Sequence, residues 1–189
     1  MKDLFKRSLL LRLVAVLLTL AAPGLSGCEK DDDTAEEAAA LEAEYKVIDD
    51  GLIQDYLTRK GIGPGSGLNQ YEKTESGLYL VRLEEGPAGT NIVSGNRAEI
   101  KYVGRFLRET NESTVFDNST EKGVPCGCFS LLVGAGEVIK GWDEGLLLMK
   151  KGDRKLLLIP SYLAYGPAAS GSVPANEPLL FDMTVLDAR

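Results

Sequence analysis

The chain has 189 residues, enough for one domain of ordinary size with an appendage and too few for two full domains. Its 28 acidic and 21 basic residues give a formal net charge of −7, which disfavours a nucleic-acid-binding surface because such a surface needs a basic stripe. The chain contains no histidine, which excludes Ser-His-Asp and Cys-His nucleophilic devices, histidine-ligated metals and an imidazole general base.

The N-terminus has the organisation of an export signal. Basic residues precede an apolar run over residues 13–22, which is too short to span a bilayer stably but has the length of a signal-peptide core; a buried helix is the alternative. The run leads to Leu25-Ser26-Gly27-Cys28, which resembles the lipobox of bacterial lipoproteins. We therefore predict a cleaved lipoprotein signal peptide over residues 1–27. Cys28 would carry two or more lipid chains, because a single chain anchors only marginally.

The segment after the lipobox is strongly charged. Residues 28–34 include Glu29-Lys30-Asp31-Asp32-Asp33 and are interpreted as a solvated acidic tether. The same acids resemble a surface-export signal of some Gram-negative lipoproteins, which is the sharper hypothesis. The expected location is the cell envelope, with the protein lipid-anchored at the outer membrane, on its periplasmic face or at the cell surface.

A helix is predicted over residues 35–60. Thr34 and Glu37 have the spacing of a capping box, and Lys60 followed by Gly61 is typical of a helix end. Apolar residues recur at helical spacing and form a stripe: Leu41, Tyr45, Ile48, Leu52 and Tyr56. We expect this helix to dock on the main domain or to act as a spacer, with dimerisation as the alternative.

The glycine-rich run that follows predicts a flexible linker over residues 61–73 and a separate domain over residues 74–189. Alternation of apolar and polar residues there predicts strands at 78–83, 98–106, 154–159 and 179–186, and a short helix at 141–149. The predicted fold class is α+β, with an antiparallel curved sheet wrapped around one short central helix.

The domain over residues 74–189 contains a series of short, distinctive sequence blocks. The most specific block is Glu137-Val-Ile-Lys-Gly-Trp-Asp-Glu-Gly145. The other blocks are Ile100-Lys-Tyr-Val-Gly104, Val115-Phe-Asp-Asn-Ser119, Phe129-Ser-Leu131, Ile159-Pro-Ser-Tyr-Leu-Ala-Tyr-Gly166, Val173-Pro174 and Leu180-Phe-Asp-Met-Thr-Val-Leu186. Together they resemble the signatures of the FKBP-type peptidyl-prolyl isomerase family, in the family's order and at nearly its spacing.

The resemblance implies a hydrophobic pocket that accepts a proline ring. Trp142 would form its floor, and the walls would comprise Tyr102, Phe116, Phe129, Val138, Ile139, Val173 and Phe181. The backbone amide of Ile139 and the hydroxyl of Tyr165 would bind substrate carbonyls, while Asp117 would lie near the amide that rotates. Each aromatic alone is more often a core residue, but aromatics from several segments beside an aspartate are better explained by a lined pocket.

The implied reaction suits a chain without histidine, because rotation about an X-Pro bond breaks no covalent bond and moves no proton. The predicted function is isomerisation of X-Pro bonds in folding envelope or secreted proteins, with no cofactor and no metal. Partners would be proline-containing unfolded or partly folded polypeptides, the membrane through Cys28 and a macrolide of the kind that occupies such pockets, and no nucleic acid. A non-catalytic binding or chaperone module tethered to the membrane is the alternative.

Two further cysteines, Cys126 and Cys128, lie in a loop that is longer than in compact members of the family. Two thiolates without further cysteine or histidine make a poor metal site. A disulfide between them would close a small, easily reduced ring, so a disulfide and two free thiols both remain open.

Overall fold

The computed structural model describes residues 30–87, 89, 91–122 and 125–189. The predicted signal peptide and Cys28 lie outside the described residues. Residues Ala38–Arg189 form one compact unit, and all contacts reported below lie within it. The described residues that precede this unit, 30–37, are helical. Over the described part of the chain, no helix combines the length and the apolar character needed to cross a membrane.

Helix α1 spans Lys30–Arg59. It begins before the predicted start at residue 35 and takes in most of the segment interpreted as a tether. Its buried residues are Asp49, Ile53, Tyr56 and Leu57, whereas Leu41 and Ile48 of the predicted stripe are exposed. The helix is therefore docked through its C-terminal half, on a face that only partly overlaps the predicted one.

The described residues form eight strands: β1 (Gly63–Pro64), β2 (Gln70–Lys73), β3 (Tyr79–Glu84), β4 (Arg97–Phe106), β5 (Val115–Asn118), β6 (Phe129–Leu132), β7 (Arg154–Ile159) and β8 (Leu179–Ala188). They form one sheet, ordered β1-β2-β3-β7-β8-β4-β5, with β6 also pairing with β4. Among these strands, only β1 and β2 pair in parallel. Shifts of register within the β3–β7, β4–β5 and β4–β8 pairs mark irregularities of the kind that bend a sheet.

The predicted fold class was α+β, with an antiparallel curved sheet wrapped around one short central helix. The structure confirms a mixed α and β domain with a curved open sheet and a helix. The predicted linker differs from the structure, because β1 and β2 both lie within residues 61–73. β2 pairs with β3 in register, with Tyr71 opposite Val81. These residues therefore extend the sheet beyond the predicted start of the domain.

The sheet is covered by a helix on each face. Along β7, Leu157 and Ile159 belong to the core under helix α2 (Lys140–Leu147), whereas Leu158 belongs to the core under α1. β3 and β8 alternate in the same way. A sheet buried on both faces explains why β7 is apolar at successive residues from Leu156 onwards instead of at every second one.

Helix α2 packs against the sheet at two residues that lack side chains. A Cβ atom added to Gly141 would lie 2.4 Å from Cγ2 of Ile159, and one added to Gly145 would lie 2.4 Å from Cδ2 of Leu157. The Asp143 carboxylate accepts hydrogen bonds from the amides of Gly134 and Gly136, at 2.8 and 3.0 Å. These contacts fix both the helix and the loop that leads into it.

Candidate active site

A pocket of about 180 Å³ opens on the α2 face of the sheet. Its lining residues are Tyr102, Phe116, Asp117, Phe129, Glu137, Val138, Ile139, Trp142, Tyr165 and Phe181. All but Glu137 were predicted from the sequence. The structure thus brings residues from six separate segments into one cavity, while their roles in binding and catalysis stay predictions.

The pocket is built on elements whose positions the sheet and α2 determine. Tyr102 lies on β4, Phe129 on β6 and Phe181 on β8, and Trp142 lies in the first turn of α2. Phe116 and Asp117 lie together on β5. Because hydrogen-bonded strands fix the spacing of their side chains, most of the pocket wall is set before any ligand binds.

Gly104 makes room for two walls of the pocket. It lies on β4 opposite Asp117 and Phe181. A Cβ atom added to Gly104 would lie 2.8 Å from Cζ of Phe116 and 2.8 Å from Cε1 of Phe181. The close approach of the two phenylalanine rings therefore depends on a residue without a side chain at this position.

The aromatic rings pack edge to face around Trp142, which is 5% exposed. Its ring centroid lies 4.7 Å from that of Tyr102 and 4.9 Å from that of Phe181, with interplanar angles of 72° and 88°. Phe116 packs against Phe181 at 5.5 Å and 84°. Such pairs add about 0.5–1.5 kcal/mol each beyond their buried area, so the floor and walls form a rigid apolar surface.

Polar groups lie at the edge of this surface. The Tyr102 hydroxyl donates a hydrogen bond of 2.8 Å to Oδ2 of Asp117, while Oδ1 of Asp117 accepts one of 2.9 Å from the Asn118 amide. Burial, together with the bond to Asp117, raises the pKa of the Tyr102 hydroxyl. The carboxylate of Asp117 is thus held in one orientation at the rim and is suited to fixing hydroxyls and the local field.

The two predicted carbonyl-binding residues, Ile139 and Tyr165, also line the pocket. Ile139 directly precedes α2 with φ −59° and ψ 147°, and its carbonyl accepts the amide of Trp142 at 2.9 Å. Tyr165 lies in the loop after a short 3-10 helix, Ser161–Leu163, and is 38% exposed. The tyrosine hydroxyl is therefore carried by a loop, unlike the aromatic residues on the strands.

Val173, a predicted wall residue, is not among the residues that line this cavity, and its part in substrate binding stays a prediction. Val173 is 4% exposed and belongs to the hydrophobic core. Val173 and Ser170 exchange two backbone hydrogen bonds of 2.9 Å, which fold their loop back on itself. The sequence prediction missed this turn and also missed Glu137, although Glu137 stands directly before Val138 in the most specific block. Oε2 of Glu137 accepts the Leu132 amide at 3.1 Å.

A disulfide joins Cys126 and Cys128 at the edge of the site. The residue between them, Gly127, accepts a 2.8 Å hydrogen bond from the Ser119 hydroxyl, which in turn accepts the Tyr102 amide at 3.2 Å. The disulfide loop is thereby fastened to the strand that carries Tyr102. Within the described ranges, no group of three or more cysteine, aspartate or glutamate side chains is placed to hold a metal ion.

A larger cavity of about 630 Å³ lies near the C-terminal end of α2 and has a different character. Its lining is mostly charged and contains no aromatic side chain. Its cations have acidic neighbours: Lys150 and Arg82 lie 3.1 and 3.7 Å from Glu85, and Lys155 lies 3.9 Å from Asp153. The aromatic pocket, with its apolar floor and polar rim, is the better candidate for a binding site.

Several curated proteins are similar to this chain. FK506-binding protein 2 of Dictyostelium discoideum is 35% identical over 126 residues, which cover 66% of this chain and 87% of that protein. FK506-binding protein 4 of Chaetomium thermophilum is 43% identical over 101 residues, or 53% of this chain and 19% of that protein. The Macrophage infectivity potentiator of Trypanosoma cruzi is 37% identical over 118 residues, or 62% of this chain and 56% of that protein.

The chain spans only a small part of some relatives, such as the 19% of the Chaetomium protein and 6% of FK506-binding protein 5 of Dictyostelium discoideum. The quoted relatives are eukaryotic, so they lend no support to the predicted bacterial lipoprotein form. A model of the family described as FKBP-type peptidyl-prolyl cis-trans isomerase matches residues 89–186, about half of the chain and all of the pocket. The chain therefore belongs to the FKBP-type peptidyl-prolyl cis-trans isomerase family.

Proposed function

We propose that this chain is a peptidyl-prolyl cis-trans isomerase that accelerates X-Pro bond rotation in folding envelope or secreted proteins. The observation that carries the proposal is the pocket itself. The proline ring would lie on Trp142 in this pocket of about 180 Å³, whose lining also contains the hydrogen-bonded pair Tyr102 and Asp117. Substrates would be proline-containing polypeptides that are unfolded or partly folded.

The barrier to rotation, about 18–20 kcal/mol, comes from resonance in the amide. In the planar ground state this resonance separates charge, and in the twisted transition state the separation is smaller. An apolar pocket around Trp142 favours the less polar twisted form, since a site accelerates a reaction when it binds the transition state better than the ground state. No general base is needed, which is consistent with a chain that has no histidine.

Hydrogen bonds would hold the substrate in a turn while the bond rotates. The amide of Ile139 and the hydroxyl of Tyr165 are proposed to bind two substrate carbonyls. Asp117 would orient the Tyr102 hydroxyl, its observed donor, and shape the field at the rotating carbonyl. Asp117→Asn with full activity would remove this role for the carboxylate.

A protease-coupled assay with an X-Pro peptide, and the refolding of a protein whose folding is limited by proline isomerisation, test the activity directly. The purified full chain should accelerate both, and Phe116→Ala should lose most of the acceleration while still folding. If no X-Pro substrate is accelerated but a macrolide binds, the pocket serves a binding module and the enzymatic proposal is wrong.

We also propose that the protein is anchored to the cell envelope by lipid on Cys28. The support is the order of basic residues, an apolar run, small residues and a cysteine at the N-terminus. Mass spectrometry of the protein from bacterial membranes should find a lipid-modified Cys28, and Cys28→Ser should appear in the soluble fraction. Protease treatment of intact cells distinguishes surface display, which gives cleavage, from the periplasmic face, which gives protection.

A further inference from the structure

Asp49 is a fully buried carboxylate on α1, on the opposite side of the sheet from α2. Its Oδ2 accepts two hydrogen bonds from one residue, Ser161: one from the amide at 2.8 Å and one from the hydroxyl at 2.7 Å. A buried carboxylate is costly unless it is hydrogen-bonded. Both hydrogen bonds therefore link Asp49 of α1 to Ser161, at the start of the loop that contains Tyr165.

Ser161 also organises the backbone of that loop. Its carbonyl accepts the amide of Ala164 at 2.9 Å and the amide of Gly166 at 2.8 Å. Tyr165 stands between these two residues, so both of its neighbours are bound to the same carbonyl. The Gly166 carbonyl in turn accepts the Asn176 amide at 2.7 Å, which closes the loop.

Tyr165 depends on this arrangement more than the other pocket aromatics do. Tyr102, Phe129 and Phe181 lie on strands, where backbone ladders fix them. Tyr165 instead lies in a turn, outside the strands and helices of the described residues, and is more than one third exposed. Its position is therefore set by the turn that begins at Ser161, and through Ser161 by α1.

A second contact joins α1 to the same turn. The Nζ atom of Lys46 lies 5.2 Å from the ring centroid of Tyr162, whose hydroxyl donates a 3.1 Å hydrogen bond to the Ser76 carbonyl. The residues Lys46 and Asp49 are spaced so that they share one side of the helix. The turn is thus held from α1 at two consecutive residues, and α1 lies entirely before residues 89–186, the part that matches the family.

We propose that Asp49 is a positioning residue for the isomerase site: through Ser161 it holds the loop that presents the Tyr165 hydroxyl to the substrate. This inference rests on the proposed function. It gives α1 a part in catalysis besides covering the sheet. Hydrogen-bond donors that are misplaced by about 1 Å can lower a rate by orders of magnitude, so a contact of this kind can affect turnover from the far side of the sheet.

A double-mutant cycle on the purified full chain tests the proposal. Asp49→Ala should lower kcat/KM for an X-Pro peptide by about tenfold, with the loss in kcat, and Tyr165→Phe should lower it by a similar factor. If Asp49 acts through Tyr165, the double variant should be no slower than the slower single variant. Asp49→Asn keeps an acceptor for Ser161 and should stay within about twofold of the wild type.

Leu57→Ala is the matched control, because Leu57 is buried on the same helix but packs in the core away from the loop. It should destabilise the protein without changing kcat/KM of the folded fraction. If Asp49→Ala fails to fold, Ser161→Ala provides a second test. It removes only the hydroxyl bond to Asp49 and should lower kcat/KM by about threefold.

Additive effects of Asp49→Ala and Tyr165→Phe, or an unchanged kcat/KM in both Asp49→Ala and Ser161→Ala, would overturn the inference. A wild-type chain without activity on any X-Pro substrate would instead overturn the proposed function. In that event the backbone amide resonances of residues 161–166 decide the inference. They should shift in Asp49→Ala and not in Leu57→Ala, and unchanged resonances in Asp49→Ala would contradict it.

Discussion

The two faces of the sheet are built from the same strands, yet the aromatic pocket opens on the α2 face, whereas the α1 face is filled by its own hydrophobic core. On the α1 face, Ile53 and Leu57 pack directly on Tyr79, Leu158 and Leu180, and the core is closed. On the α2 face, the rings around Trp142 pack edge to face and leave a cavity of about 180 Å³. A hydrophobic face becomes a binding site when its covering helix is short and its rings cannot fill the space.

Polar groups divide the two faces further. Tyr79 on the α1 face donates to Asp50 and accepts from Gln54 at 2.9 Å, so its hydroxyl is used to attach the helix. Tyr102 on the α2 face donates to Asp117 at the rim of the pocket. Tyr71 and Tyr79 also form an aromatic pair, at 5.4 Å, but α1 covers it. Both faces therefore contain aromatic residues and hydroxyls. They differ in whether a ligand can reach these groups, because α1 covers those on its face and the pocket exposes those on the α2 face.

The largest expected effect separates stability from activity. Trp142→Ala and Leu57→Ala both remove buried side chains, and we expect losses of about 3–5 and 2–5 kcal/mol in the free energy of unfolding, respectively. Only Trp142→Ala should abolish isomerisation, because Trp142 alone is part of the pocket floor. Urea unfolding and a peptide assay on folded protein measure the two effects. Loss of activity in folded Leu57→Ala would contradict the division of the faces.

Adding one methyl group should narrow the pocket. Gly104→Ala places a Cβ atom 2.8 Å from both Phe116 and Phe181, so the rings must move, at an expected cost of about 1–3 kcal/mol in stability. Substrate affinity should fall as the walls shift, and the assay should show a raised KM.

Gly51→Ala is the matched control on α1, where the added Cβ has nothing within 4 Å. Since alanine favours a helix over glycine, this variant should gain up to about 1 kcal/mol and keep its activity. An unchanged KM in Gly104→Ala would show that the rings of Phe116 and Phe181 have more free space around them than the structure indicates.

Two conservative substitutions compare the tyrosine hydroxyls of the two faces, and both should destabilise the protein to a similar extent. Tyr102→Phe and Tyr79→Phe should each lose about 1–2 kcal/mol, because each removes hydrogen bonds that involve a carboxylate. Tyr102→Phe should also lower kcat/KM by about tenfold, the equivalent of one such bond. Tyr79→Phe should leave kcat/KM unchanged. Equal activities of the two variants would contradict a catalytic role for the Tyr102–Asp117 pair.

Much of the α2 face could be predicted from the sequence because its residues fall in specific blocks. Trp142 and Ile139 belong to one continuous block, Tyr102 and Phe181 lie in strands that the alternation predicted, and Phe116 was identified from its block alone. Val173 lies outside the lining of the cavity, and a turn between small residues leaves no sequence pattern that shows which way it folds. Glu137 lies in the most specific block, but nothing in the sequence indicates that this residue lines the cavity.

The α1 face was harder to predict for a physical reason. A helical period shows that apolar residues share a face of the helix, but it does not show which of several overlapping faces docks on the sheet. The predicted stripe began with Leu41, which is exposed. The docked face instead contains Asp49, a polar residue that a search for apolar periodicity passes over. Its partner Ser161 is 112 residues away, so no local pattern joins the two.

The smallest expected effect concerns the charge of Asp49. Burial, opposed by the bonds from Ser161, raises the pKa of Asp49 from 3.8, with Arg108 lowering it and Glu177 raising it. The folded protein therefore keeps a proton at pH values where the unfolded chain has released it. The free energy of unfolding falls as pH rises from the unfolded pKa to the folded one, and stays lower above it.

Asp49→Asn cannot ionise and should lack this decline. The difference in unfolding free energy between Asp49→Asn and the wild type should therefore grow in favour of the variant as pH rises from about 4 and level off above the folded pKa of Asp49. Urea unfolding at a series of pH values measures the difference, in which the shared titrations of other carboxylates cancel. A difference that is constant with pH would mean that Asp49 keeps its ordinary pKa, and that α1 holds the Tyr165 loop with a carboxylate no more costly than an exposed one.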